Sequence, residues 1–371
     1  METASGAWAS PHPSDAKSVG TTPPPGRTAL QRATGYLRRH PVLCLFLLTP
    51  GLVEYLSGSS SFVFLVVSPG WFFLALGINA AMYTSGALLI REAVIRWGKG
   101  WPTVFALGAA YALMEEGISD QTIFNPHTSP LGAAGTYGHF LGVNWLWVPD
   151  VLVIHILMSL FLPILLLGYA LPETRGKSLL STRQIALVTT LLGFDAAFLA
   201  VLVVKSTGNW YGVGLLAATL VTILGLCLLG WRLPRDLGLV RPGGPSASRL
   251  RFFLVGCFAY PLMVMVTLIG VAERVPPVLI FAAIVGLTCS LFLWVLRNVG
   301  TERYERHVVA FGAGLLVLGM ILGLLFEFPW EIVAIADAVV VYFFLWLDRN
   351  LARRLASGPS IGVRIPAGAA G

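Results

Sequence analysis

Apolar residues in this chain come in long unbroken blocks, and polar residues are confined largely to the gaps between them. A helix needs about 20 predominantly apolar residues to cross a bilayer. Ten blocks approach that length: 41–57, 71–95, 101–119, 146–171, 184–204, 209–231, 250–272, 276–297, 307–326 and 330–347. They are too continuous for the alternating strands of a membrane barrel, and they lack the amphipathic stripe of a soluble core. Proline and glycine punctuate several ends, at Pro69-Gly70, Gly98, Gly100, Pro172, Pro276-Pro277 and Pro329. The pattern predicts an all-α fold: a polytopic integral membrane helical bundle of about ten transmembrane helices. The first block has the flavour of a signal peptide. Pro50, Gly51 and Glu54 interrupt it, however, and no small-residue cleavage site follows, so it reads as a retained first helix.

Charge orients this bundle. Of the 25 Lys and Arg residues, only Lys205 and Arg274 fall outside the tails and the even-numbered loops. Basic residues gather on the cytoplasmic side of a membrane protein. The bias therefore predicts that both termini are cytoplasmic, and a miscounted helix would have spoiled it. The expected organisation is a disordered basic cytoplasmic tail over 1–40, a transmembrane domain over 41–347 and a cytoplasmic tail over 348–371. The expected location is the plasma membrane. The formal charge of +7 belongs to these loops and is no nucleic-acid footprint, so the partner implied is the lipid bilayer. All but Trp8 of the 11 tryptophans lie near block ends, as an interfacial aromatic belt requires, and they need no functional account.

Composition adds exclusions. Only 12% of the 371 residues are charged, about half the share of a soluble domain. Cys44, Cys227, Cys257 and Cys289 lie inside apolar blocks without CxxC or histidine spacing, and read as small packing residues. There is no nucleotide-binding loop, zinc signature or convincing internal repeat. The cofactor is unknown from the sequence: a Glu/His cluster could hold a divalent metal, but HExxH is absent and no spacing singles out a site.

Acids and histidines inside the blocks are the functional candidates, because each costs roughly 3 kcal/mol at mid-bilayer. The third block ends in Tyr111–His127, YALMEEGISDQTIFNPH. The topology brings Glu115, Glu116 and Asp120 to the same outer leaflet as Glu54, Asn79, Tyr83 and His155. Adjacent helical residues point about 100° apart, so one of Glu115 and Glu116 is expected to face a shared partner and the other to orient a neighbour. His155 and Ser159, four apart, share a face. Asp150 is offset from that face and is expected at the membrane interface. The segment 117–144 has no Lys or Arg and contains Asn125, His127, His139 and Asn144. It fits a re-entrant or interfacial cap over the outer cluster, or a plain extracellular loop. Asp195 and Asp337 are lone acids in apolar helices, and Arg91-Glu92 reads as an ion pair at the cytoplasmic edge.

The stretches GALLIREA, YALMEEG, FNP, GVNW and HILMS, spread over residues 50–175, resemble a group of uncharacterised bacterial and archaeal multi-pass membrane proteins. A weaker similarity is to the CPBP (CAAX-protease-like) glutamic intramembrane proteases, whose pattern is EExxxR, FxxxH and HxxxN. Glu115-Glu116 matches the paired glutamates. Asp120 stands where that pattern has arginine, His155 with Ser159 reads HxxxS, and FxxxH has no counterpart.

Three functions follow as alternatives. In a membrane-embedded hydrolase, Glu116 or Glu115 activates water, assisted by His155 and His139. In a proton- or cation-coupled transporter, Glu54, Glu115, Glu116 and Asp195 mark a path, with Asn79, Asp120, Asn125, Asn144 and Ser159 beside it. In a non-catalytic scaffold, the glutamates only cap and solvate a helix end.

Overall fold

The computed structural model describes residues 35–56, 61–127, 132, 134–208, 210–237, 247–299 and 304–357. Residues 35–39, in the unit Met1–Arg39, are helical; residues 1–34 of the expected N-terminal tail lie outside the described residues. The unit His40–Gly371 carries ten long helices, one in each expected block. They are α1 (Pro41–Tyr55), α2 (Pro69–Arg96), α3 (Trp101–Leu113, continued by Met114–Ser119), α4 (Trp147–Ala170) and α5 (Thr182–Thr207). Then follow α6 (Gly212–Arg232), α7 (Arg249–Ala272), α8 (Pro277–Asn298), α9 (Glu305–Phe326) and α10 (Trp330–Ser357). The last continues beyond residue 347, where a tail was expected to begin.

Eight of these helices are long and apolar enough to cross a membrane. The chain is thus an all-α, multi-pass membrane bundle. The other two are α1, which is short, and α3, whose final turns hold Glu115 and Glu116. Proline begins α1, α2 and α8, where its missing N–H costs nothing. A capping box of Ser181 and Gln184 starts α5, and Gly208 ends it in the left-handed conformation at φ 68°.

Helix α4 is the axis of the bundle. Of its most apolar window 78% is buried, against 11% for α5 and 6% for α6. The exposed side chains of α5 and α6, among them Leu187, Phe194, Leu220 and Leu224, are apolar, as a lipid-facing surface demands. Helices α7 and α9 cross closely at Gly256 and Gly314. A Cβ on Gly256 would stand 2.2 Å from the Phe311 carbonyl oxygen, and one on Gly314 would stand 2.2 Å from that of Phe253. Small residues let helix backbones meet where no hydrophobic drive exists between them.

Arg91 and Glu92 are both buried, at 5% and 1% exposed, rather than placed at an aqueous edge. The loop after α4 covers them. Arg91 donates to the carbonyls of Thr174 and Lys177 at 2.6 and 3.0 Å, and Glu92 accepts from the backbone N–H of Leu179 at 2.7 Å. The pair therefore ties the α4–α5 loop to α2.

The described residues between α3 and α4 form a packed cap. A short helix, Ala134–Tyr137, precedes a hairpin of β1 (His139–Phe140) and β2 (Val143–Asn144). The hairpin turns through Leu141 and Gly142 at φ 53° and 79°, the positive angles that a two-residue turn matching strand twist requires. Ile123 and Phe124 pack on Trp147 and Val151 of α4.

Candidate functional site: a buried carboxylate–imidazole centre

The four first helices are not regular. Each contains a π-helical segment: Gly51–Tyr55 in α1, Ala80–Thr84 in α2, Met114–Ser119 in α3 and His155–Phe161 in α4. Among the described residues, α5 to α10 contain none. Such wide turns are rare and concentrate at functional sites. These four carry Glu54, Tyr83, the pair Glu115-Glu116, and His155 with Ser159, respectively. His155 stands eight residues into α4, about 12 Å from its start.

His155 is 3% exposed and is held from every side. Its Nε2 lies 2.8 Å from Glu116 Oε1. Its Nδ1 lies 3.1 Å from Ser159 Oγ and 3.0 Å from Glu115 Oε2. The Glu115 contact is close but misdirected for a hydrogen bond, and that oxygen has no hydrogen-bond partner. The ring of Tyr83 lies parallel to the imidazole at 6.3 Å, and Tyr111 stands tilted at 6.2 Å. The Tyr83 hydroxyl donates to Glu54, which ties α2 to α1. Tyr111, one helical turn before Glu115, interacts electrostatically with it.

Both glutamates therefore face one partner, contrary to the expectation from a regular helix. A 100° step would separate them, but the π segment widens the turn and lets two long side chains converge on one imidazole. They are not equivalent. The Glu115 side chain is 2% exposed and that of Glu116 is 12% exposed. Glu116 reaches toward the cap, where Thr122 donates to its Oε2 and Trp147 Nε1 donates to the Thr122 hydroxyl at 2.9 Å.

The other expected residues divide. Asp120 follows the end of α3, half-buried and in electrostatic contact with Glu54, Glu115 and Glu116. Asp195 is buried on α5, which packs against the Met114–Ser119 segment that carries Glu115. Asn79 is half-buried just before the α2 π segment. His139 stands apart: its Nε2 is 3.0 Å from the Phe124 carbonyl oxygen, within the cap. Asn144 is architectural, accepting from the backbone N–H groups of Leu146 and Trp147 at 3.2 Å each and so capping the start of α4. Asn125 accepts from the backbone of His127 at 3.0 Å.

Asp150 lies in the first turn of α4. It is 0% exposed, on a helix whose most apolar window is 78% buried. Thr122, Gln121 and Trp147 were not foreseen. Gln121, at φ 57°, donates to the Ala200 carbonyl at 3.3 Å and pins the cap to α5. Their neighbours come from distant segments, so no local spacing marks them. Tyr111 carried one signal, its place four residues before Glu115. Among the described residues, no three His, Cys, Asp or Glu side chains are set to hold a metal ion.

Apolar spanning helices around a buried polar centre define a multi-pass membrane protein. Residues 43–357 match the model of an uncharacterised membrane protein family, and the chain belongs to that family. No curated protein and no solved structure matches it. None of these comparisons shows a likeness to glutamic intramembrane proteases.

Proposed function

We propose that the chain is a membrane-embedded enzyme of hydrolase type, working in one leaflet, with Glu116 and His155 as its acid–base pair. One observation carries this reading: each ring nitrogen of His155 lies within 3.0 Å of a carboxylate, Glu116 on one side and Glu115 on the other. At Nε2 the nitrogen and Glu116 Oε1, 2.8 Å apart, share a proton, since otherwise two lone pairs would face each other, and Nδ1 is paired with the Ser159 hydroxyl. His155 can accept a proton at one nitrogen and release one at the other, which is what general acid–base chemistry asks of an imidazole. Glu116, the more accessible acid, removes a proton from water as the water oxygen attacks an acyl carbon. Glu116 then gives this proton to the leaving group as the acyl bond breaks, and His155, hydrogen-bonded to its Oε1, stabilises the carboxylate. Glu115 and Ser159 orient the ring. The plasma membrane, with the basic loops cytoplasmic, is the setting in which we place it.

The test compares membranes of cells making wild-type chain, E116Q, H155A or E115Q, with lipids and peptides inventoried by mass spectrometry. A product of the wild type falls by about 100-fold or more in E116Q and H155A, the usual worth of an acid–base group, and by less in E115Q. Equal tolerance of E116Q and E115Q would overturn the assignment. A transport reading also draws on the acids near His155. Vesicles reconstituted with the chain and a trapped pH dye separate the two, because a hydrolase carries no proton flux.

A further inference from the structure

A second polar place lies toward the other end of α4. From His155 to Gly168 the helix runs roughly 20 Å. There a cavity of about 50 Å³ opens where α2 ends, α3 begins and the α4–α5 loop passes over. Its walls are largely apolar, with Val94, Val104, Ile164 and Leu165 among them. Its polar side chains are those of Arg91, Trp101, Tyr169, Thr174 and Arg175, and no Asp or Glu among the described residues lines it. Ile164, Gly168 and Arg175 are only half-buried, so the cavity reaches the surface of the bundle.

The lining gives the cavity a sign. The charge of Arg91 is already balanced by Glu92 at 3.1 Å, and its Nη2 donates to the carbonyls of Thr174 and Lys177. Arg175 is set differently. Its Nε donates to the Gly168 carbonyl oxygen at 2.6 Å, and its guanidinium lies over the Tyr169 ring at 5.0 Å. These contacts fix a permanent cation at the cavity wall. Trp101 adds a neutral donor, for its indole N–H is buried and has no hydrogen-bond partner among the described residues. A buried donor without an acceptor is costly, and an acceptor on a ligand would relieve it. A cation and a spare donor, with no acid beside them, suit an anion.

The surroundings say what carries that anion. One water needs about 10–15 Å³ of such space, so the cavity admits a phosphate-sized group and not a whole lipid. The rest of the ligand must lie outside, against the apolar rim. The bundle stands in a bilayer, and α2 and α4 both end here, at the level of the head groups. Basic pockets between spanning helices take anionic head groups, and Arg96, Lys99 and Lys177 follow close by in the chain.

We propose that this cavity binds the phosphate of an anionic phospholipid through Arg175 and the Trp101 N–H, with the lipid chains along Ile95 and Ile164. The site shares no residue with the acid–base centre, so either reading can fail while the other stands.

The experiment uses the full chain in a non-ionic detergent, with dihexanoyl phosphatidylglycerol as probe. Dihexanoyl phosphatidylcholine is the zwitterionic analogue and inorganic phosphate the soluble anion. Saturating phosphatidylglycerol raises the Tm by about 3 °C, phosphatidylcholine by less than half as much, and phosphate leaves it unchanged. R175A abolishes the rise, and so does I164W, which puts a larger side chain into the cavity. W101F, which keeps a ring but loses the N–H, loses at least half. R353A, at an exposed site, retains it. No rise in the wild type would overturn the proposal, as would an undiminished rise in R175A, W101F or I164W. An equal rise with phosphatidylcholine would show that the chains alone bind, and an equal rise with phosphate that the ligand is a soluble anion; each sinks the lipid assignment. A loss in R353A as large as in R175A would reduce the effect to surface charge and overturn the site. If R175A does not fold, W101F and I164W decide.

Discussion

Arg91 and Glu92 show how much a membrane chain can rest on one ion pair. The two side chains lie 3.1 Å apart, and each also holds backbone of the α4–α5 loop. Removing one partner of a buried pair leaves the other charge desolvated, at a cost of about 3–5 kcal/mol. E92A should therefore lower the unfolding temperature in detergent or nanodiscs markedly, and R353A, at an exposed site, should change stability by less than about 0.5 kcal/mol. Comparable melting of the two variants would show that the loop is held by other contacts. The sequence revealed that Arg91 and Glu92 were adjacent, but not that they were buried, because their cover comes from residues 174–180. His155 was the opposite case. A histidine in an apolar block is conspicuous by its solvation cost alone, and so are two adjacent glutamates. Thr122 was illegible, since a threonine in a loop acquires meaning only from the carboxylate it meets.

At the scale of elements, helix positions were readable and helix phase was not. Long apolar blocks locate helices well, but a π segment adds a residue without changing the hydrophobic pattern. The resulting register decides which side chains meet, and here it brought Glu115 and Glu116 to one ring. Helix pairing was likewise hidden. The crossing of α7 and α9 depends on Gly256 and Gly314, two glycines among 40. In G256A the new methyl would meet a backbone carbonyl, which cannot rotate away as a side chain would, so the helices must separate. The expected loss is about 1–3 kcal/mol, read as a lower Tm. G225A is the control. Nothing lies within 4 Å of its Cβ, and alanine is the better helix former, so its Tm should hold or rise. Equal melting temperatures in the two variants would remove the close crossing as a source of stability.

At the scale of the molecule, charge and chemistry lie at different levels. Arg91, Arg96 and Lys99 lie at or just beyond the end of α2 expected to be cytoplasmic, and Arg232 and Arg235 at that of α6. The carboxylates and their cap belong to the other ends of α1, α3 and α4. A buried cluster of acids is tolerable only where protein rather than lipid surrounds it, and α4, the most enclosed of the spanning helices, provides that place. The hairpin of the cap presents Leu141 at 76% exposure beside the start of α6, where Gly142 meets Leu215, whereas Arg235 lies beyond the other end of that helix. In a chain freed of its four cysteines, L141C and R235C should then respond oppositely to a membrane-impermeant thiol reagent. In sealed vesicles of uniform orientation one is labelled at once, and the other only after permeabilisation. Labelling of both from the same side would place the cap and the basic loops together, and would undo the alternation of spans on which the depth of the Glu116–His155 centre depends.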